Sequence, residues 1–436
     1  MKKQLLILAV AAFSGMALPS CKKEIGNLNN PTVEDFLNNA SKAQLNNLVT
    51  GIESGMRNNL PMYLDVVGVI GREMYRFSGS EPRYTSDLVG AGEAQLDNNT
   101  FYLTNPWASR YRVVKNCNLL IEAAENSTLL TDAERNGYIG FAKTFLAYQL
   151  LLNLNMTYNN GIRIDVADPE NLGPVVASVP ECLSAISTLL EEGKTALTGS
   201  SNTFILTSGF ETVGGPDGVV KVNRAIAARV AVYRQQWQAA LTALNESFFN
   251  LDGNFNTGAY SVFTTGSGDQ LNGAYFPQNQ NGEVRVAHPS YDTDIEANDD
   301  RIGKATLRTA PASQSGLEGD RDVWVYTSAV SPIPLIRNEE LILIYAEAQA
   351  QLGGAGLGEA TKALNKIRNA HGLGNLPGNL TQAQLITEML KQRRYSLFFE
   401  GHRWVDMRRY NRLAELPKDR PTDDVWVQFP LPLTEQ

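Results

Sequence analysis

Phe398-Phe399-Glu400-Gly401-His402-Arg403-Trp404-Val405-Asp406-Met407-Arg408-Arg409 decides how this chain is read. Its charges suit a helix. Glu400 and Arg403, Arg403 and Asp406, and Asp406 and Arg409 stand three residues apart, so helical winding would join them in a ladder of ion pairs. Gly401 interrupts the ladder and marks either a cap or a close backbone approach. Phe398, Trp404 and Met407 would anchor the segment in a core. The carboxylates therefore read as arginine partners rather than catalytic acids.

The sequence just before this stretch is helical too. Thr381-Gln382-Ala383-Gln384 is a capping box, in which hydroxyl and amide side chains satisfy free backbone N–H groups. Asn338 to Leu352 and roughly 358–370 form a helix pair joined by Gly353-Gly354, with alanines at 346, 348, 360 and 363 that permit close approach. A second pair is expected where Asn223 caps a helix through Tyr233 and another begins at Trp237. The pairs resemble tetratricopeptide units, but no strict 34-residue period repeats, and ordinary helical hairpins fit the spacing equally.

The N-terminal half continues the pattern. Helices are expected from Thr32-Val33-Glu34-Asp35, after the capping box Ser41 to Gln44, and along Trp107, Tyr111, Val114, Asn118 and Ile121, which share one face. A further capping box, Thr131 to Glu134, opens a long apolar helix through Phe141, Phe145, Tyr148 and Leu152. Two weakly structured stretches, 71–106 and 250–334, separate the helical blocks, the second with short strands near 260–264 and 283–287. Long loops in compact proteins are functional or disordered, and the aromatics in these argue for order.

The chain starts with a basic Lys2-Lys3, an apolar run over 5–13, then Leu18-Pro19-Ser20-Cys21. That is the layout of a secretory leader, too short to span a bilayer. It resembles a bacterial lipobox, with Cys21 as the lipidated mature N-terminus; an ordinary leader cut near Ala17 is the competing reading. Loss of the leader takes the formal charge from -8 to -10, which disfavours nucleic acid. Cys117 and Cys182 are expected as buried free thiols, and the three histidines are too scattered for a metal centre.

Taken together, the motifs resemble the SusD/RagB family of outer-membrane nutrient-binding lipoproteins. The Glu400-Gly401 pair followed by Arg403-Trp404-Val405-Asp406-Met407-Arg408-Arg409 is similar to the family's C-terminal signature. Arg337-Asn338-Glu339-Glu340-Leu341 with Tyr345-Ala346-Glu347-Ala348, then Ala363 to Arg368, Asn298-Asp299-Asp300-Arg301 and Phe429-Pro430-Leu431-Pro432 resemble further family landmarks, in the right order. Two positions depart: Lys391-Gln392 and Ser396 stand where acidic residues are usual, which puts local ion pairing in question.

The resemblance implies a mainly α, irregular SusD-like fold with tetratricopeptide-like helix pairs, long loops and a few short strands. Residues 1–20 would be the leader and 21–436 one domain: an N-terminal part over about 30–250, a ligand-loop region over about 251–334 and a C-terminal helical part over about 335–436. It implies a non-enzymatic lipoprotein on the outer membrane, facing the exterior, that passes glycan to a SusC-like TonB-dependent transporter. A peptide-binding lid and a protein-only scaffold are the alternatives. No cofactor is expected; a calcium site among Asp292, Asp294, Glu296 and Asp299 is the one metal candidate. Ligand contacts are expected from Trp324, Tyr291 and Tyr326 in the second loop and Arg72, Tyr75, Arg83, Tyr84 and Tyr102 in the first. Packing within the loops is the competing role for each aromatic. Trp107 and Trp404 are assigned to the core.

Overall fold

The computed structural model describes residues 37–435. Cys21, the leader and the start of the helix expected from Thr32 lie outside the described residues; residues 37–39 are helical. Helices dominate: α1 (Lys42–Arg57), α2 (Leu60–Ile70), α3 (Phe101–Asn126), α4 (Asp132–Thr157), α5 (Val179–Leu197), α6 (Val219–Tyr233), α7 (Trp237–Asn245), α8 (Asn338–Leu352), α9 (Gly356–Ala370), α10 (Gln382–Ser396) and α11 (Arg403–Arg409). They pack as successive neighbours, α3 on α4, α4 on α5, α6 on α7 and α8 on α9. The three capping boxes form at the starts of α1, α4 and α10, with hydroxyl and N3 side chain each accepting from the other's backbone N–H. Among the described residues no helix is long and apolar enough to cross a membrane. Cys117 and Cys182 are buried free thiols, and Trp107 and Trp404 are core residues.

Asn223 is not a cap. It lies inside α6, fully buried, where its amide donates to Thr144 Oγ1 at 2.8 Å and its oxygen accepts from Arg224. Its tertiary partners on α4 outweigh its local preference for a helix end. Pro106 lies within α3, so the first loop closes at Thr100.

The two long stretches are more ordered than their composition suggests, and they meet. β1 (Met74–Phe77) comes from the first; β5 (Val284–Ala287), β6 (Ala305–Gln314) and β7 (Leu317–Val323) come from the second. All four form one antiparallel sheet in the order β1-β5-β7-β6, with Met74 opposite Ala287 and Val286 opposite Asp322. β6 and β7 make a hairpin whose turn, Ser315-Gly316, has φ of 55° and 79°. Positive φ at both central residues matches the right-handed twist of the strands. β2 (Ile162–Arg163) pairs with β3 (Val175–Val176), and β4 (Gly258–Ser261) with β8 (Ile333–Arg337). The strand expected at 260–264 thus lies slightly earlier.

The charge ladder forms in part. Phe399 and Gly401 take φ of 59° and 84°, so the chain turns sharply and α11 starts only at Arg403. Glu400 therefore leaves the ladder and pairs with Arg337 at 2.8 Å. Asp406 keeps Arg409 at 2.9 Å and adds Arg393 at 2.6 Å, and Arg409 also pairs with Glu347. Of the residues that depart from the family pattern, Lys391 pairs with Glu296 at 2.8 Å, while Gln392 and Ser396 act as neutral acceptors. Arg301 is held by Asp299 at 2.6 Å and donates to Gln392 Oε1 at 2.7 Å and Ser396 Oγ at 2.9 Å. One carboxylate neutralises this guanidinium, and three neutral acceptors, the Gln392 side chain and carbonyl and the Ser396 hydroxyl, take its remaining N–H groups.

Candidate functional site

Six of the eight expected contact residues are buried. Tyr291 packs between Tyr395 and Phe398, with ring centroids 5.1 and 4.3 Å away, and its phenol donates to the Arg301 carbonyl. Tyr326 sits beside Phe399 and donates to its carbonyl at 3.2 Å. Tyr75 lies against His288 and donates to Asp419. Tyr102 donates to Asp87 at 2.9 Å and accepts from the Asp97 N–H at 2.7 Å. Tyr84 is covered by the Arg76 guanidinium 5.2 Å from its ring centre. Arg72 donates to the carbonyls of Pro417, Val89 and Asp424, stapling the C-terminal segment to the first loop. These side chains are packed and, apart from the Tyr84 hydroxyl, hydrogen-bonded within the fold, which leaves little of them for a ligand in this conformation.

Trp324 and Arg83 are only half-buried. Arg83 forms a two-pronged pair with Glu81 at 2.7 and 2.6 Å and lies over Phe101, so its charge is already neutralised. Trp324 follows β7, its backbone N–H donating to the Lys304 carbonyl at 2.7 Å. Its ring packs at 5.9 Å and 53° against Tyr275, which is also half-buried. Trp324 thus stays partly accessible, packed against a neighbouring ring at the base of the hairpin. Tyr275 belongs to the same aromatic-rich stretch but was not among the expected contacts, because only the fold makes it Trp324's neighbour.

Beside the hairpin lies a cleft of about 600 Å³. Gly79 and Phe77 border it from the first loop; Asn279, Asn281, Thr309, Ser313 and Gln314 border it from the second. Asn279 has φ of 57° and is locked: its N–H donates to Asp322 at 2.6 Å, and its Oδ1 accepts from the Thr309 N–H at 2.7 Å. That leaves its Nδ2 donor free. Gln314 is consumed by the Ser78 backbone, donating to its carbonyl and accepting from its N–H. Sequence reasoning passed over these residues, since short amide and hydroxyl side chains in a Gly-rich loop read as turn chemistry.

The calcium candidate does not form. Asp292 pairs with Arg321, Asp294 with Arg394, Glu296 with Arg368 and Lys391, and Asp299 with Arg301. The Arg368 hydrogen bond leads in holding the Glu296 carboxyl down at about 2. Among the described residues no cluster of three or more His, Cys, Asp or Glu could hold a metal.

This geometry sits in a recognisable frame: a mainly α, SusD-like fold. Residues 236–426, which include the C-terminal signature, match the model of the SusD family. This segment, within the C-terminal half, is thus similar to the SusD family, and solved structures of SusD-like proteins share the chain's fold. A SusD-like carbohydrate binding protein from Bacteroides vulgatus ATCC 8482 is 20% identical, with 84% of this chain and 83% of that one covered and a TM-score of 0.62. Surface glycan-binding protein A from Bacteroides thetaiotaomicron is 14% identical, with 92% and 97% covered and a TM-score of 0.70. The same-named protein in complex with laminarihexaose gives 14% identity, 86% and 92% coverage and a TM-score of 0.65. No curated protein matches the chain.

Proposed function

We propose that this protein is a cell-surface nutrient-capture lipoprotein that binds glycan and delivers it, without catalysis, to a SusC-like TonB-dependent transporter. Cys21 would carry the lipid anchor in the outer membrane. The observation that carries the reading is the half-buried Trp324, packed against Tyr275, in a fold shared with a protein seen in complex with laminarihexaose. A sugar ring has an apolar face of C–H groups and an edge of hydroxyls. Aromatic faces cover the first, and amides and hydroxyls bond the second.

Capture of peptides is the second reading. The burial of Tyr291, Tyr326, Tyr75, Tyr84 and Tyr102 leaves few ring faces, and the amide-lined cleft could also bond a peptide backbone. Calorimetry of the purified mature chain against neutral oligosaccharides and short peptides separates the two. The glycan reading expects oligosaccharide binding that weakens roughly tenfold in Trp324→Ala, the loss of a stacking contact worth about 1–1.5 kcal/mol. Peptide binding with uniform silence toward glycans would replace it.

A further inference from the structure

From the pairing of charges around the hairpin cleft we infer that the cargo is an uncharged glycan, bound there through amide and hydroxyl groups; this rests on the glycan reading above. The cleft of about 600 Å³ contains one cationic side chain, Arg308. That guanidinium is buried and spent: it pairs with Asp322 and donates to the carbonyls of Ala310 and Gln280. Behind the cleft, Glu283 is matched with Arg76. No cation on the cleft's rim is left to meet a ligand carboxylate or sulfate. The neighbouring strand makes matters worse for an anion. Glu318 lies directly across the hairpin from the cleft residue Ser313, Asp320 follows two residues on, and both carboxylates are exposed without an ion-pair partner. The net charge of -8 adds a long-range repulsion of the same sign.

What remains free on the cleft is neutral and hydrogen-bonding. The side chains of Asn281 and Ser313 are exposed and make no hydrogen bond to the rest of the protein. Asn279 offers its amide donor from a backbone fixed by Asp322 and Thr309. A buried or bound carboxylate needs compensating charge, whereas a hydroxyl needs only a donor or an acceptor. The cleft therefore selects against uronic, sialic or sulfated sugars by leaving their charge unpaired.

The test is calorimetry of the full mature chain with laminarihexaose, other neutral hexasaccharides and hexagalacturonate at low and high salt. Neutral sugars should bind with little salt dependence, and hexagalacturonate should not. Asn281→Ala and Ser313→Ala alter exposed, unpartnered side chains, so the fold should stay intact by circular dichroism. Together they should weaken neutral-sugar binding roughly tenfold, the cost of losing ligand hydrogen bonds. Binding of hexagalacturonate as tight as that of neutral sugars would overturn the charge argument. Neutral-sugar affinity untouched by both substitutions would overturn the cleft. Silence toward every glycan, with peptide binding intact, would instead remove the reading on which this inference rests.

Discussion

Glu73 lies buried just before β1, where its Oε1 accepts from the Phe399 N–H at 3.3 Å. Burial lifts its carboxyl to about 8, with partial relief from the positive charges of Arg403 and Arg394. The folded state therefore holds this proton above the ordinary carboxylate range, while the unfolded chain releases it near 4.5. Between those values the unfolded state binds fewer protons, so the contribution of Glu73 to stability falls as pH rises, by at most about 1.4 kcal/mol per unit. Glu73→Gln keeps the acceptor and removes the titration. Its denaturant midpoint should match the parent near pH 4.5 and exceed it at pH 8; a variant less stable at pH 8 would refute the account. Residues of this kind were hidden in the sequence because their partners are remote. Tyr75 finds Asp419, and Arg72 finds Pro417 and Asp424, across most of the chain. Local composition showed aromatic loops but not which rings the fold would use up. Asn298-Asp299-Asp300-Arg301 was legible as a motif because its residues are contiguous; the pairing of Asp299 with Arg301 emerges only in the fold.

At the scale of elements, the signals that could be read were those written within a few residues. Capping boxes need only four positions, and all three form. The Gly353-Gly354 joint between α8 and α9 takes positive φ at both residues, as a tight helix turn needs. The β6–β7 hairpin was missed because β6 has no clean alternation of buried and exposed residues and its register shifts between Leu307 and Ala312. The signature itself turned out to be a turn followed by a short helix. Gly401, at φ of 84°, allows that turn, and a Cβ there would come within 3.1 Å of the Tyr63 ring. Gly401→Ala should therefore destabilise the protein by about 1–3 kcal/mol, read from urea unfolding. An unchanged midpoint would mean that the turn tolerates an L side chain and that its glycine serves another purpose.

Across the whole molecule, the helical blocks hold together a sheet that neither loop could make alone, since β1 and β5 come from opposite ends of the described chain's first three hundred residues. That joining sets the Trp324–Tyr275 pair and the polar cleft along one hairpin. The mainly α class and the resemblance to the SusD family could be read from the ordered motifs; the proposed cargo surface could not, because it is assembled from side chains whose exposure depends on the tertiary fold. Anchoring is a property of the entire protein. Cys21→Ala should leave folding and glycan affinity unchanged in the purified chain while abolishing surface retention and uptake in cells, followed by surface labelling and growth on the cargo glycan. Undiminished uptake would show that the lipid is dispensable. The most direct measurement is a crystal structure of the mature chain with a bound neutral oligosaccharide. The account predicts a sugar ring against Trp324 and hydroxyls within hydrogen-bond distance of Asn281 or Ser313. Sugar density confined to another surface, with Trp324 and the cleft empty, would contradict it.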